Sequence, residues 1–263
     1  MSLKISNLKY SYSSKFSLTD ISISFHHNIT AIIGPNGAGK STLIKCIANI
    51  YKSSGDIYYM DQKINCNDKS FFAKNVSYLP QSFQNDATIT VYEAILLGLM
   101  CSLTLRVNSA QLQAVNNMLE VFELQSLAQR QIYELSGGQL QMVLLAQAII
   151  KQPEILLLDE PLNNLDVHHQ FALLNLISKL SKHKNIITVI VMHDINLAAR
   201  YADNIVIMDN GRLYSQGKPR EVVTKKMLKD IYKIESNIYI SMQGYPVIEF
   251  VDIATSLNIK QIT

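Results

Sequence analysis

Ile29-Thr30-Ala31-Ile32-Ile33 runs straight into Gly34-Pro35-Asn36-Gly37-Ala38-Gly39-Lys40-Ser41, and Leu43, Ile44, Ile47 and Ile50 then follow at helical spacing. The eight loop residues match G-x-x-x-x-G-K-[ST] without departure. A strand before this motif and a helix after it form the context in which it binds phosphate. The glycines let the backbone wrap closely around an anion, and the loop N–H groups point inward. The helix N-terminus adds the positive end of its dipole. Lys40 would bridge the β- and γ-phosphates of a nucleoside triphosphate, and the Ser41 hydroxyl would ligate Mg²⁺. Thr42 belongs to the same nucleotide-binding stretch.

A carboxylate-bearing strand supplies the other half. Ile155-Leu156-Leu157-Leu158 is continuously apolar, as a strand buried on both faces is, and it ends in Asp159-Glu160. That end is the edge where α/β sheets bind ligands. There Asp159 would hold Mg²⁺ through water, and Glu160, one residue further out, would polarise an attacking water.

Around these two anchors, residues 21–25 alternate as a half-buried strand does. Residues 74–79 read as a strand stopped by Pro80, and residues 186–191 as a buried one. The helix after the phosphate loop is expected over residues 39–50, another over about 167–180, and a third from Ile195. Asn210-Gly211, between residues 205–208 and 212–214, predicts a two-residue hairpin. Residues 91–150 are helical in pattern, with breaks at 101–108, 127–133 and Gly137-Gly138. From Lys225 onward a helix and short mixed segments are expected, and no internal repeat is visible. Strands alternating with helices predict a mainly parallel α/β core, carrying a helical insertion over about residues 87–150.

Composition narrows the class. The 263 residues carry 24 Lys and Arg against 21 Asp and Glu, a formal charge of +3, too small and too evenly spread for a dedicated nucleic-acid binder. Ten Gly and six Pro exclude collagen-like and low-complexity readings. Cys46, Cys66 and Cys101 are scattered, without CxxC spacing, which favours a reducing compartment. Cys46 reads as core packing. The first residues lack the apolar stretch and cleavage site of a signal peptide. No run approaches the roughly 18 apolar residues that a membrane span needs.

Leu135-Ser136-Gly137-Gly138-Gln139, between the phosphate loop and Asp159, is similar to the LSGGQ signature of ATP-binding cassette (ABC) ATPases. The resemblance covers about residues 2–235, and the other elements of that family follow in order. Tyr12 stands where the family places an aromatic on adenine, with Tyr10 two residues away. Gln81, after Val76-Ser77-Tyr78-Leu79-Pro80, matches the Q-loop glutamine. Asn164-Leu165-Asp166 matches the D-loop, and His193 the switch histidine. The resemblance implies an α/β fold with a phosphate-loop (RecA-like), mainly parallel core, an antiparallel N-terminal β region and an inserted helical subdomain. It implies an ABC ATPase domain over residues 1–235 and a short extension over 236–263.

The resemblance also implies a mechanism. Two cassettes form a head-to-tail homodimer, with ATP and Mg²⁺ held between the phosphate loop of one and the signature of the other. Ser136 and Gly138, with Gly137 and Gln139, would contact the partner's ATP. Gln81 would sense Mg²⁺ and water and couple the site to a multi-span permease. His193 would contact the γ-phosphate, and Asp166 would communicate across the dimer. The chain would lie peripherally on the cytoplasmic face of the cell membrane and serve a substrate-binding protein through the permease, with no nucleic acid involved. An apolar groove for a permease helix is expected from Ser82-Phe83-Gln84 on to Val91 and Leu97.

Two departures from the family pattern stand out. Gln139-Leu140-Gln141-Met142 and Ala146-Gln147-Ala148 lack the arginines many cassettes carry there. His26-His27-Asn28 replaces the usual Gly-Glu turn, where Asn28 would tolerate a positive φ. His168-His169 looks like a metal pair, but adjacent residues do not share a helix face, so both read as surface. The run from His193 to Asp203, and the segments at 209–212 and 216–224, resemble cassettes of iron-siderophore, haem and cobalamin importers. Zinc and manganese importer cassettes share much of this pattern. A soluble ABC ATPase acting on nucleic acid fits less well, since such chains carry a long coiled coil or two cassettes.

Overall fold

The computed structural model describes residues 1–13, 16–81, 88–99 and 107–254. The chain opens with β1 (Ser2–Ser13), β2 (Phe16–His26) and β3 (Asn28–Ile33). After the phosphate loop come α1 (Lys40–Ile47), β4 (Ser54–Tyr59), β5 (Gln62–Lys63), α2 (Lys69–Asn75) and β6 (Val76–Leu79). Helices α3 (Val91–Leu97), α4 (Ser109–Val121) and α5 (Gly137–Ile149) precede β7 (Ile155–Asp159). Next are α6 (Val167–Lys184), β8 (Ile187–Val191), α7 (Ile195–Tyr201), β9 (Asn204–Asp209) and β10 (Arg212–Gly217). Short helices α8 (Pro219–Val222) and α9 (Lys225–Met227) lead to the hairpin β11 (Ile234–Ile240) and β12 (Pro246–Ile253).

Six strands form the main sheet in the order β10-β9-β3-β8-β7-β6, parallel except for β10. An antiparallel sheet, β2-β1-β4-β5, lies on one side. The continuous apolar runs are continuous because each strand feeds two cores. Ile29, Ala31 and Ile33 of β3, with Leu156 and Leu158 of β7, join the core made with α3 to α7. Ile32, Ile155 and Leu157 point the other way, into the core shared with α1 and the antiparallel sheet. Leu43, Ile44 and Ile47 of α1 fill the space between the sheets, each at most 2% exposed. Burying each such side chain contributes about 1.5–3 kcal/mol, so this layering dominates the fold. Cys46 packs there too, and burial pushes its thiol up to about 12.

Several expectations are corrected. Lys74 and Asn75 belong to α2 rather than to the strand, because Asp68 caps that helix through the Ser70 and Phe71 amides. α1 ends at Ile47 rather than Ile50, in a turn that includes Asn49 at φ 59°. α6 runs to Lys184 and stops at the left-handed Asn185. The turn at His27 leaves Asn28 in β3 without a positive φ. Asn210-Gly211 makes the predicted hairpin, with φ 45° and 73°. Val91 is fully buried, so it packs internally and lines no groove, whereas Leu97 is 38% exposed. Residues 82–84, with Phe83, and Cys101 lie outside the described residues.

Candidate functional site

The strand order decides which side chains meet. β3 and β7 are separated by one strand, β8, so the phosphate loop, Asp159-Glu160 and His193 all emerge at the same carboxyl edge. Gln81 follows β6, which flanks β7. In the loop, Gly34 sits at φ 150°, and a Cβ there would lie 2.2 Å from Met208 O. Gly39, at φ 99°, opens α1 with no side-chain cap, which leaves the first-turn amides facing a hollow of about 230 Å³. That hollow is lined by Phe16, Asn36, Gly37, Gly39, Lys40, Ser41, Thr42 and Glu160.

Lys40 is 5% exposed, and its Nζ donates to Gly34 O at 2.9 Å and Pro35 O at 3.0 Å. Burial holds its pKa below the usual lysine value, against the opposing pull of Glu160 and Asp159. Ser41 Oγ donates to Asp159 Oδ1 at 2.8 Å, and Tyr78 OH to Oδ2 at 3.2 Å. Burial raises the Asp159 pKa, and these two hydrogen bonds moderate the rise. The Ser41–Asp159 pair offers the hard oxygen donors that Mg²⁺ takes. Gln81 is brought to Glu160 instead of to this pair.

Glu160 is the meeting point of the edge. It is 7% exposed, with a backbone at φ 52° that aims the side chain out of the strand direction. Gln81 Nε2 donates to Oε2 at 2.6 Å, and His193 Nε2 lies 2.6 Å from Oε1. Asn163 Nδ2 also donates to Oε2 at 2.6 Å. Sequence reading missed Asn163. The Asn163 amide donates to Glu160 O at 3.3 Å, and that turn returns the side chain to the carboxylate, a return that no residue pattern announces. Phe16 and Tyr78 were missed as well; one lines the phosphate hollow and the other alternates on the strand beside β7.

Tyr12 is 70% exposed, whereas Tyr10 stacks on Tyr51 with ring centroids 5.0 Å apart and so serves packing. Ser136 caps α5 by accepting from the Gln139 amide at 3.3 Å, while Gln139 Oε1 accepts from the Ser136 amide at 3.1 Å. Among the described residues, Ser136 to Gln139 and Asp166 are not part of the hollow. Ser136 and Gly137 are exposed at the start of α5, a helix N-terminus open to an anion from outside the chain. The missing arginines leave Gln141, whose Nε2 donates to Pro161 O at 2.9 Å. His168 is on the surface, but His169 is not a bystander. Its Nδ1 lies 2.8 and 2.9 Å from the two Asp166 carboxylate oxygens, and its ring packs on Gly138.

Among the described residues, no helix is long and apolar enough to cross a membrane. The model of the ABC transporter family matches residues 18–163. An uncharacterized ABC transporter ATP-binding protein of Methanocaldococcus jannaschii is 37% identical, covering 94% of this chain and 97% of its own length. The petrobactin import ATP-binding protein of Bacillus subtilis is 34% identical (88% and 92% covered), and the hemin import ATP-binding protein of Aliivibrio fischeri 33% (95% and 96%). Among solved structures, a putative metal-chelate type ABC transporter superposes with a TM-score of 0.82 at 24% identity, covering 96% and 97%, a likeness of fold. A dimeric ATP-binding cassette in a post-hydrolysis state, bound to ADP and phosphate, gives 0.71 at 26% identity, covering 82% and 98%.

Proposed function

Since this chain belongs to the ABC transporter family, we propose that it is the ATP-hydrolysing subunit of a membrane importer whose cargo is an iron complex of the siderophore or haem kind. The observation that carries the catalytic reading is the convergence of Lys40, the Ser41–Asp159 pair and Glu160 on one sheet edge. ATP lies with its phosphates along Gly34–Thr42 and its adenine toward Tyr12. The loop amides and Lys40 bind and orient the triphosphate, an electrostatic task in which positioning is most of the catalysis. Ser41 and Asp159 would hold Mg²⁺, which neutralises charge on the phosphates. Glu160 accepts the proton of the attacking water, and its orientation is set by the amides of Gln81 and Asn163. His193, beside Glu160 and 41% exposed, reaches the γ-phosphate side of the site.

The nucleotide site is completed by Ser136, Gly137, Gly138 and Gln139 of a second copy, with Asp166 at the junction. The exposed N-terminus of α5 supports this, since within the chain none of its residues lines the phosphate hollow. Dimeric cassettes among similar structures support it too. A permease, and through it a substrate-binding protein, are the partners, which puts the chain peripherally at the cytoplasmic membrane face. The ATPase domain spans residues 1–235 with its helical subdomain at about 87–150, and residues from 236 form an extension. Relatives named for petrobactin and hemin import favour an iron complex over zinc or manganese.

A strain lacking this gene tests the reading. It should lose growth on a siderophore or haem as sole iron source, regain it with the wild-type gene, and fail to regain it with Glu160→Gln. Unimpaired growth of the deletion strain, or full rescue by Glu160→Gln, would overturn the proposal.

A further inference from the structure

One hydrogen bond and two close approaches join the first turns of α5 to the segment after Glu160 within one chain. Gln141 Nε2 donates to Pro161 O at 2.9 Å. A Cβ on Gly137 would lie 3.7 Å from Asn164 O. A Cβ on Gly138 would lie 2.6 Å from His169 Cδ2, 2.9 Å from Cγ and 3.1 Å from Nε2. The His169 ring therefore occupies the space a side chain at 138 would need.

That ring is fixed. Asp166 Oδ1 accepts from the His169 amide at 2.9 Å, which caps α6, and both carboxylate oxygens lie within 2.9 Å of His169 Nδ1. With acceptors facing it, Nδ1 carries the proton, and the ring plane is set by the carboxylate. The hydrogen bonds from the His169 amide and ring hold the Asp166 carboxyl below the usual aspartate range. Asp166 itself ends a short turn-rich segment whose other end is tied to the catalytic carboxylate, through Asn163 Nδ2 at 2.6 Å from Glu160 Oε2.

We propose that His169 is a positioning residue for the signature segment. Oriented by Asp166, its ring is the seat of Gly138 and so fixes where the Ser136–Gly138 N–H groups point. This rests on the composite-site reading above, and deepens it. The segment one chain lends to its partner's nucleotide is braced against the segment that holds its own Glu160. Glycine at 138 is then required by a contact inside the chain, apart from any contact with nucleotide.

A double-mutant cycle tests this with Gly138→Ala, His169→Ala and the double variant of the full chain. Thermal midpoints without nucleotide and steady-state ATP hydrolysis are both measured. Gly138→Ala should lower the midpoint and raise the KM for ATP about tenfold or more, and removing the ring in the double variant should return KM to within about threefold of His169→Ala. His169→Ala alone should raise KM about fivefold with kcat within about twofold, because Glu160 and Lys40 are untouched. His169→Gln, whose amide donates to Asp166, should recover part of that loss. Additive effects in both measurements, or a fall in kcat at unchanged KM in His169→Ala, would overturn the proposal. So would coupling confined to the thermal midpoint. A wild-type protein without ATP hydrolysis would instead sink the functional reading, while the nucleotide-free cycle would still decide whether the ring seats Gly138.

Discussion

Replacing Glu160 by Gln removes a charge from a carboxylate that three donors surround. Gln81 and Asn163 both donate to Oε2 at 2.6 Å, and His193 Nε2 lies 2.6 Å from Oε1. The glutamine oxygen must take the Oε2 position, because two amide donors face it. Its NH₂ then points at His193 Nε2, which must accept, so His193 adopts the tautomer protonated at Nδ1. All three contacts survive as neutral hydrogen bonds worth about 1 kcal/mol each, in place of charge-assisted ones at about 1.5–3. The buried charge that opposed folding is gone as well. The two changes offset, and the stability of Glu160→Gln should stay within about 1–2 kcal/mol of wild type. The rate should fall by about 10²–10⁴, the usual contribution of a positioned base, with ATP binding retained. Glu160→Ala behaves differently, since it leaves the half-buried Asn163 amide without its acceptor, at a cost of up to about 1–3 kcal/mol, while the exposed Gln81 amide turns to water. Thermal unfolding and phosphate release on the three proteins provide the assay. Hydrolysis by Glu160→Gln within tenfold of wild type, or Glu160→Ala as stable as Glu160→Gln, would refute the reasoning.

Gly34→Ala places a Cβ 2.2 Å from Met208 O in a backbone at φ 150°, so nucleotide binding should drop more than about tenfold and stability by about 2 kcal/mol or more, read by titration with a fluorescent ATP analogue and by melting. Asp159→Asn should raise the thermal midpoint at pH 8 while reducing Mg²⁺-dependent hydrolysis. The folded-state pKa of Asp159 is raised by burial, so its ionisation costs stability as pH rises through that value; the advantage of the variant should shrink toward pH ~4, which a melting series across pH would show. Asn196→Ala removes two hydrogen bonds to the Ile248 backbone, at 3.0 and 2.7 Å, and should cost about 2 kcal/mol, with faster proteolysis of the β11–β12 hairpin as the local readout.

The readable parts of the sequence were those governed by one local rule. The phosphate loop has its own residue pattern, and β7 is continuously apolar up to Asp159, with β3 and β8 mostly apolar around Thr30 and Thr188, because both faces of the main sheet are covered. β1 was not legible because its register shifts between Ile5 and Leu8, beside Asn7 at φ 52°, so the period of two breaks where it would have been counted. Residues 74–79 misread as a single strand because β-prone Val76 to Leu79 directly abuts a helix that only the Asp68 cap announces. The hairpin at the C-terminal side was hidden by mixed patterning, since apolar Tyr239, Val247 and Val251 stay exposed. In the site, Lys40 was found from the phosphate-loop pattern and Asp159 and Glu160 from the end of an apolar strand, whereas His193 was found through the family resemblance. Asn163 and His169 act through a turn and a ring contact, and neither carries a residue-type signal of its own.

In the proposed dimer, each working ATP site takes Lys40 from one chain and Ser136 from another. Mixing Lys40→Ala with Ser136→Arg, each inactive alone, measures it directly. A randomly exchanged mixture should recover about a quarter of wild-type hydrolysis, because half the two-fold dimers are mixed and each holds one intact site. No recovery despite demonstrated mixed dimers, or full activity in Ser136→Arg alone, would contradict it.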